Sequence, residues 1–204
     1  MTGAGPVGGD AVDLGSGVEL SDAELAGAIR EHAYLEGDFV LRSGRRSRYY
    51  LDKYRFETRP DLLWPISKRI AAAVRREDPA AVRLAGPELG AVALATSASL
   101  ASGLPFLIVR KAGKEYATGQ RVEGTYEAGE LVCLVEDVVT TGGAAASAVG
   151  ALRETGLECN TAICVVDRDE GGIEGLAAVG VRLVPLFRAA ELVQGDEMPA
   201  NPHG

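Results

Sequence analysis

Two adjacent carboxylates, Glu136 and Asp137, close an apolar run, Leu131-Val132-Cys133-Leu134-Val135, and the residues after them are small or hydroxylated: Val138-Val139-Thr140-Thr141-Gly142-Gly143-Ala144. An apolar run of this kind suits a strand buried on both faces. A loop that follows it and opens a helix presents backbone N–H groups with partial positive charge, which suits a phosphate. Gly142 and Gly143 let an anion approach the backbone closely, and Thr140 and Thr141 add hydroxyl donors. The two carboxylates can accept hydrogen bonds from neighbouring sugar hydroxyls and can stabilise positive charge growing on a ribose ring. The chemistry indicated is an anion site beside a diol site.

Cations are grouped in a second segment. Val109-Arg110-Lys111-Ala112-Gly113-Lys114-Glu115-Tyr116 runs from a strand end into a polar loop, and Val122-Glu123-Gly124 follows. Arg110, Lys111 and Lys114 suit a pyrophosphate leaving group, and a loop that closes over the site excludes water. Two further polar segments flank these. Phe39-Val40-Leu41-Arg42-Ser43-Gly44 followed by Arg48-Tyr49-Tyr50-Leu51-Asp52 reads as a basic hairpin, and Arg168 follows the apolar run Ile163-Cys164-Val165-Val166. A GKS/T phosphate loop and a GxGxxG fingerprint are both absent from the acidic segment. The only histidines are His32 and His203, so histidine-based catalysis is not indicated.

The elements that must carry these residues follow from the apolar pattern. Ser21-Asp22-Ala23-Glu24 is a capping box and starts a helix that ends before Gly37. Pro60 suits a first helical turn, and Leu62, Leu63, Ile66, Ile70 and Val74 continue at helical spacing. Strands are expected over 82–85, 106–109, 131–135, 163–166 and 181–187, with helices over 91–100, 144–154 and 173–179. Strand and helix alternate, which predicts an α/β fold with a parallel sheet flanked by helices, in which ligands bind beyond the carboxyl ends of strands. Residues 1–19 are Gly-rich and residues 195–204 polar, so both are read as flexible tails around one domain, with a hood over 20–58 and a core over 59–194.

The net charge of −8 argues against a nucleic-acid partner, which needs a basic face. No apolar run approaches the ~20 residues that span a bilayer, and the first residues lack the pattern of a secretory leader, so no membrane partner is expected. Cys133, Cys159 and Cys164 have no CxxC spacing and read as buried thiols of a cytoplasmic protein.

The segment from Leu131 to Gly143 resembles the signature by which type I phosphoribosyltransferases bind phosphoribosyl pyrophosphate (PRPP). The hairpin, the 109–118 loop with Val122-Glu123-Gly124, and Asp167-Arg168-Asp169-Glu170-Gly171-Gly172 resemble segments of the orotate phosphoribosyltransferases in the same order. The resemblance implies that fold with a helix-hairpin hood. It implies the reaction of orotate with PRPP to orotidine 5′-monophosphate and pyrophosphate in pyrimidine (UMP) biosynthesis.

It also implies roles. Lys114, Asp137 and Glu136 are the expected catalytic residues. PRPP is expected at Arg110, Lys111, Lys114, Tyr116, Leu89, Gly90 and the stretch from Glu136 to Ala144. Orotate is expected at Arg42, Tyr49, Tyr50, Thr140 and Arg168, with the Arg168 guanidinium on its carboxylate. Magnesium is the expected cofactor, carried by substrate oxygens and touching Asp137 through water. The 111–125 loop implies a homodimer with shared sites.

Three positions depart from the family. Arg42 stands where Lys is usual, Tyr116 where His is common, and Gly90 where many members carry a lysine. Two other readings stay open: a phosphoribosyltransferase for another base, and a PRPP-sensing regulator without catalysis. Gly90 is the feature that favours the regulator.

Overall fold

The structure is a computed structural model and describes residues 19–40, 46–111 and 121–193. Helix α1 (Asp22–Ala33) starts as the capping box requires: the Glu24 backbone N–H donates to Ser21 Oγ at 3.2 Å, and the Ser21 N–H donates to Glu24 Oε2 at 2.7 Å. Its apolar stripe, Leu25, Ile29 and Ala33, is fully buried. Strands β1 (Tyr34–Val40) and β2 (Arg46–Leu51) pair antiparallel as a separate two-stranded sheet. A short helix α2 (Tyr54–Glu57) then leads into α3 (Pro60–Glu77), which has Pro60 in its first turn.

Six strands make the main sheet: β3 (Arg83–Pro87), β4 (Phe106–Val109), β5 (Val122–Glu123), β6 (Leu131–Val139), β7 (Glu158–Asp167) and β8 (Arg182–Arg188). Their order is β5-β4-β3-β6-β7-β8, parallel except for the antiparallel edge strand β5. Helices α4 (Gly90–Ser102), α5 (Gly143–Glu154), α6 (Gly172–Ala177) and α7 (Ala189–Val193) complete the chain. This is the expected α/β architecture with its helix-hairpin hood.

The sheet is covered on both faces, and the pleat of β6 shows how. Cys133 and Val135 face a core shared with Ile66 and Ile70 of α3 and Leu94 and Ala98 of α4. Val132 and Leu134 face a second core with Val149 and Leu152 of α5 and Leu176 of α6. Alternate side chains point to opposite faces, so the stretch of β6 between the two cores, Val132 to Val135, is apolar on both sides.

The chain winds from β3 to β4 in one direction and from β6 through β7 to β8 in the other. The order therefore reverses between the neighbours β3 and β6. A crevice opens beyond the carboxyl ends of strands at such a reversal, and ligands bind there.

Two expectations are corrected. The strand expected over 131–135 runs on to Val139, because pairing with β7 continues to Val139↔Asp167. Glu136 and Asp137 thus lie inside β6, not after it. The helix expected over 173–179 is α6 (Gly172–Ala177), and the chain turns away where the Val179 and Val181 N–H groups both donate to Leu176 O. Short α2, β5 and α7 carry too few residues to show a period. Of the expected tails over 1–19 and 195–204, all but residue 19 lie outside the described residues, as do Leu41 to Gly44 of the hairpin.

Candidate active site

Beyond β3 and β6 lies a cleft of about 440 Å³, within the usual range for small-ligand sites. Its floor is the end of β6. Asp137 is buried, with Oδ1 accepting from the Val138 N–H at 2.5 Å and Oδ2 accepting from Lys53 Nζ at 2.5 Å. Glu136 is also buried and, by the strand's alternation, on the other face. Burial pushes the Glu136 carboxyl up to about 8; the negative charge of Asp137 adds to this and Lys53 opposes it.

Two helix N-termini open at this end of the sheet. α5 begins at Gly143 behind Gly142, whose φ of 80° is left-handed and whose added Cβ would lie 3.0 Å from Gly172 O. Glycine is therefore required there twice over, by backbone angle and by space. α4 begins at Gly90 on the far side of Asp137. Neither helix has a side chain capping its first N–H groups. Both leave donors free for an anion.

The β3 and β4 ends are tied together by Glu88. Its Oε1 accepts from the Lys111 backbone N–H at 2.7 Å, and its Oε2 lies 3.8 Å from Arg110 Nε. Arg110 also lies 3.6 Å from Glu123 Oε1 on β5. Arg110 and Lys111 thus stand at one wall of the cleft.

Arg168 follows β7. Its backbone N–H donates to Val139 O at 2.9 Å, which sets it beside Thr140. The guanidinium is 5.1 Å from the centre of the Tyr49 ring, and Arg168 Nη2 pairs with Glu170 Oε1 at 3.1 Å. Arg168 Nε is buried and has no hydrogen-bond partner. A buried cationic donor without a partner calls for an acceptor. Tyr49 in turn stacks on Tyr34 at 5.2 Å.

No family model matches this chain. Individual proteins do. The curated orotate phosphoribosyltransferase of Methanocella arvoryzae is 47% identical over 174 residues, covering 84% of this chain and 97% of that protein. A crystal structure of orotate phosphoribosyltransferase from Mycobacterium tuberculosis H37Rv, 32% identical, superposes with a TM-score of 0.74 over 84% of this chain and 98% of that one. The same enzyme in complex with PRPP superposes at 0.70 with 31% identity, covering 84% of this chain and 98% of that one. The chain belongs to the orotate phosphoribosyltransferase family. Its reaction joins orotate to the phosphoribosyl group of PRPP and releases pyrophosphate, a step of pyrimidine biosynthesis.

For an orotate phosphoribosyltransferase the expected site residues distribute as follows. Glu136, Asp137, Val138, Val139, Thr140, Gly142, Ala144, Gly90, Arg110 and Lys111 all line the one cleft. Thr141 and Gly143 are exposed at its rim, and Leu89 is exposed beside Gly90. Tyr49 and Arg168 come together outside that cavity's lining. Tyr50 points the other way along β2 and packs on Phe39 at 5.6 Å. Arg42, Lys114 and Tyr116 lie outside the described residues.

Sequence reasoning missed Lys53 and Glu57. Both come from the hood side, and Glu57 is buried with Oε1 lacking a hydrogen-bond partner. Burial raises the Glu57 carboxyl to about 8, with Asp137 adding to the shift and Lys53 opposing it. A lysine just before a four-residue helix and a glutamate at that helix's end look like ordinary surface residues in a sequence. Nothing local marks them as reaching β6.

Proposed function

We propose that orotate and PRPP meet in the cleft between β3 and β6, with a division of labour along it. The N-terminus of α5 and the Thr140–Thr141 loop take the 5-phosphate. The N-terminus of α4, with Arg110, Lys111 and Lys114, takes the pyrophosphate. Asp137 and Glu136 hold the ribose, and Asp137, joined by Glu136 where that carboxyl is ionised, stabilises cationic character at C1 as the pyrophosphate leaves. Arg168 takes the orotate carboxylate beside Thr140, with Tyr49 under the guanidinium. Rejection of bases without a carboxylate follows, since they would leave the buried Arg168 Nε–H without an acceptor.

One observation carries this reading: Asp137 is buried between two helix N-termini that no side chain caps, while Arg168, bonded to the same strand end, keeps an unpartnered buried Nε. Positioning and charge stabilisation would supply most of the acceleration.

Magnesium fits the donor set present. Asp137 offers a carboxylate whose oxygens already hold Lys53 and a backbone N–H, so it suits contact through a water, not direct capture. Such an ion takes most of its ligands from substrate oxygens and water. It would offset the charge of the leaving pyrophosphate. The 111–125 segment would serve the cleft of a neighbouring subunit, making the active unit a homodimer. The buried free thiols Cys133, Cys159 and Cys164 support a reducing, cytoplasmic setting. No described helix is long and apolar enough to cross a membrane.

The test is pyrophosphate release from PRPP and magnesium, with orotate, uracil, hypoxanthine or no base. Release should require orotate and should collapse in Lys114→Ala and Asp137→Asn. Release with hypoxanthine but not orotate would overturn the base assignment. PRPP binding without release for any base would overturn the catalytic one.

A further inference from the structure

The cleft contains a cation that neither the strand-end motif nor the Arg110-Lys111 segment provides. Lys53 immediately precedes α2, in the hood, and its Nζ donates to Asp137 Oδ2 at 2.5 Å. An ammonium carries three donors. Asp137 takes one, and the side chain lines the cleft where the others can meet a ligand. Its surroundings hold it charged: burial works against the ammonium, but Asp137 and Glu57 outweigh that, and the group titrates above its ordinary value.

Gly90 faces the same point in space. A Cβ built there would overlap Asp137 Oδ2, lie 2.7 Å from Lys53 Nζ and lie 3.0 Å from Glu57 Oε1. Position 90 therefore cannot carry a side chain while Lys53 occupies this place. Gly90 is also the first residue of α4, whose leading N–H groups have no side-chain cap. Ammonium and helix N-terminus thus add their positive potential on the α3–α4 face of the sheet, whereas α5 lies on the other face. This gives the two phosphate-binding ends of the cleft different characters. The α5 end is a backbone cradle, and the α4 end is a cradle with a fixed cation.

We propose that Lys53 binds the pyrophosphate group of PRPP, supplying from the hood the cation that position 90 lacks, with its ammonium bridging Asp137 and a phosphate oxygen. The proposal rests on the placement of pyrophosphate at the α4 end described above. It makes the absence of a side chain at position 90 a condition of the site and not a loss.

The experiment is calorimetric titration of wild type, Lys53→Met and Lys53→Arg with magnesium pyrophosphate and, separately, with orotidine 5′-monophosphate, which has the 5-phosphate but no pyrophosphate. Steady-state KM and kcat for PRPP and orotate accompany it. Lys53→Met should weaken pyrophosphate and raise the PRPP KM by roughly tenfold or more, the weight of one charge-assisted hydrogen bond. Nucleotide affinity and orotate KM should stay within about twofold, because those ligands do not reach the α4 end. Lys53→Arg should recover much of the pyrophosphate affinity, since it keeps the charge.

Equal loss of pyrophosphate and nucleotide affinity would mean that Lys53 only holds Asp137 in place, and would overturn the proposal. So would unchanged pyrophosphate affinity in a folded Lys53→Met. The two readings fail separately. A wild type that makes no orotidine monophosphate, yet loses pyrophosphate binding selectively on Lys53→Met, loses the reaction and keeps Lys53. A wild type that turns over orotate with pyrophosphate affinity indifferent to Lys53 does the reverse.

Discussion

The Arg168 guanidinium lies over the Tyr49 ring, 5.1 Å from its centre, joining strand β2 of the hood to the residues after β7. The Arg168 Nε is buried and has no hydrogen-bond partner. Arg168→Ala should raise the orotate KM about a hundredfold with little change in the KM for PRPP. Tyr49→Ala should cost roughly fivefold, the scale of a partly exposed cation–ring contact, and Tyr49→Phe close to nothing. Tyr50→Ala should be mild by comparison, because that ring packs on Phe39. Steady-state kinetics with orotate varied measures all four. An orotate KM unmoved in Arg168→Ala would remove Arg168 from the base site.

Gly90→Ala places a methyl group where Asp137 and Lys53 meet. The pair must move by a good fraction of an ångström. Displacements of that size at reacting groups cost about a hundredfold in rate, so kcat/KM for PRPP should fall by that order while the fold is kept. The assay is kinetic, with circular dichroism as the check on folding. Wild-type kinetics in this variant would show that Asp137 and Lys53 do not need each other.

Glu136 gives a pH dependence to the stability of the unliganded protein. Burial lifts its carboxyl to about 8 in the folded chain, against about 4.3 when unfolded. The folded state therefore holds the proton more tightly than the unfolded one between these values. The associated stability is full below the unfolded value and is lost as pH rises through about 8. Tm should fall between pH 6 and 9, and Glu136→Gln, which cannot ionise, should fall less. Glu57, raised in the same way, keeps part of the slope in that variant. Equal Tm losses in variant and wild type would mean that Glu136 is already ionised at pH 6.

Leu134 is fully buried between β6 and the α5–α6 face, two residues before Glu136. Leu134→Ala should destabilise the fold by about 2–5 kcal/mol through lost burial and the cavity left behind. Urea unfolding reads this directly. A loss under 1 kcal/mol would mean that this face repacks freely.

Much of the fold was legible because its signals are local. The capping box at Ser21, Pro60 in a first turn, and the continuous apolar run from Leu131 each constrain their own few residues. They are seen as α1, α3 and β6. The end of β6 was not legible. Carboxylates read as the close of a buried strand, yet pairing with β7 carries the ladder through both of them. Such a stretch is strand because its neighbour is there, not because of its own side chains.

For the site, the sequence by itself determined the chemical parts: two carboxylates, a glycine-threonine loop, a cationic segment and an arginine after a strand. These types and their order are properties of the chain; they indicated an anion site beside a diol site, and the family they resemble implied PRPP and orotate. Only the tertiary structure decided which parts meet. It set Asp137 against Lys53 and Gly90, and Arg168 over Tyr49. The reason is that burial, charge pairing and steric exclusion act between residues brought together by the order of strands. The reversal between β3 and β6 gathers segments far apart in the chain at one end of the sheet, and the hood then delivers Lys53 into it.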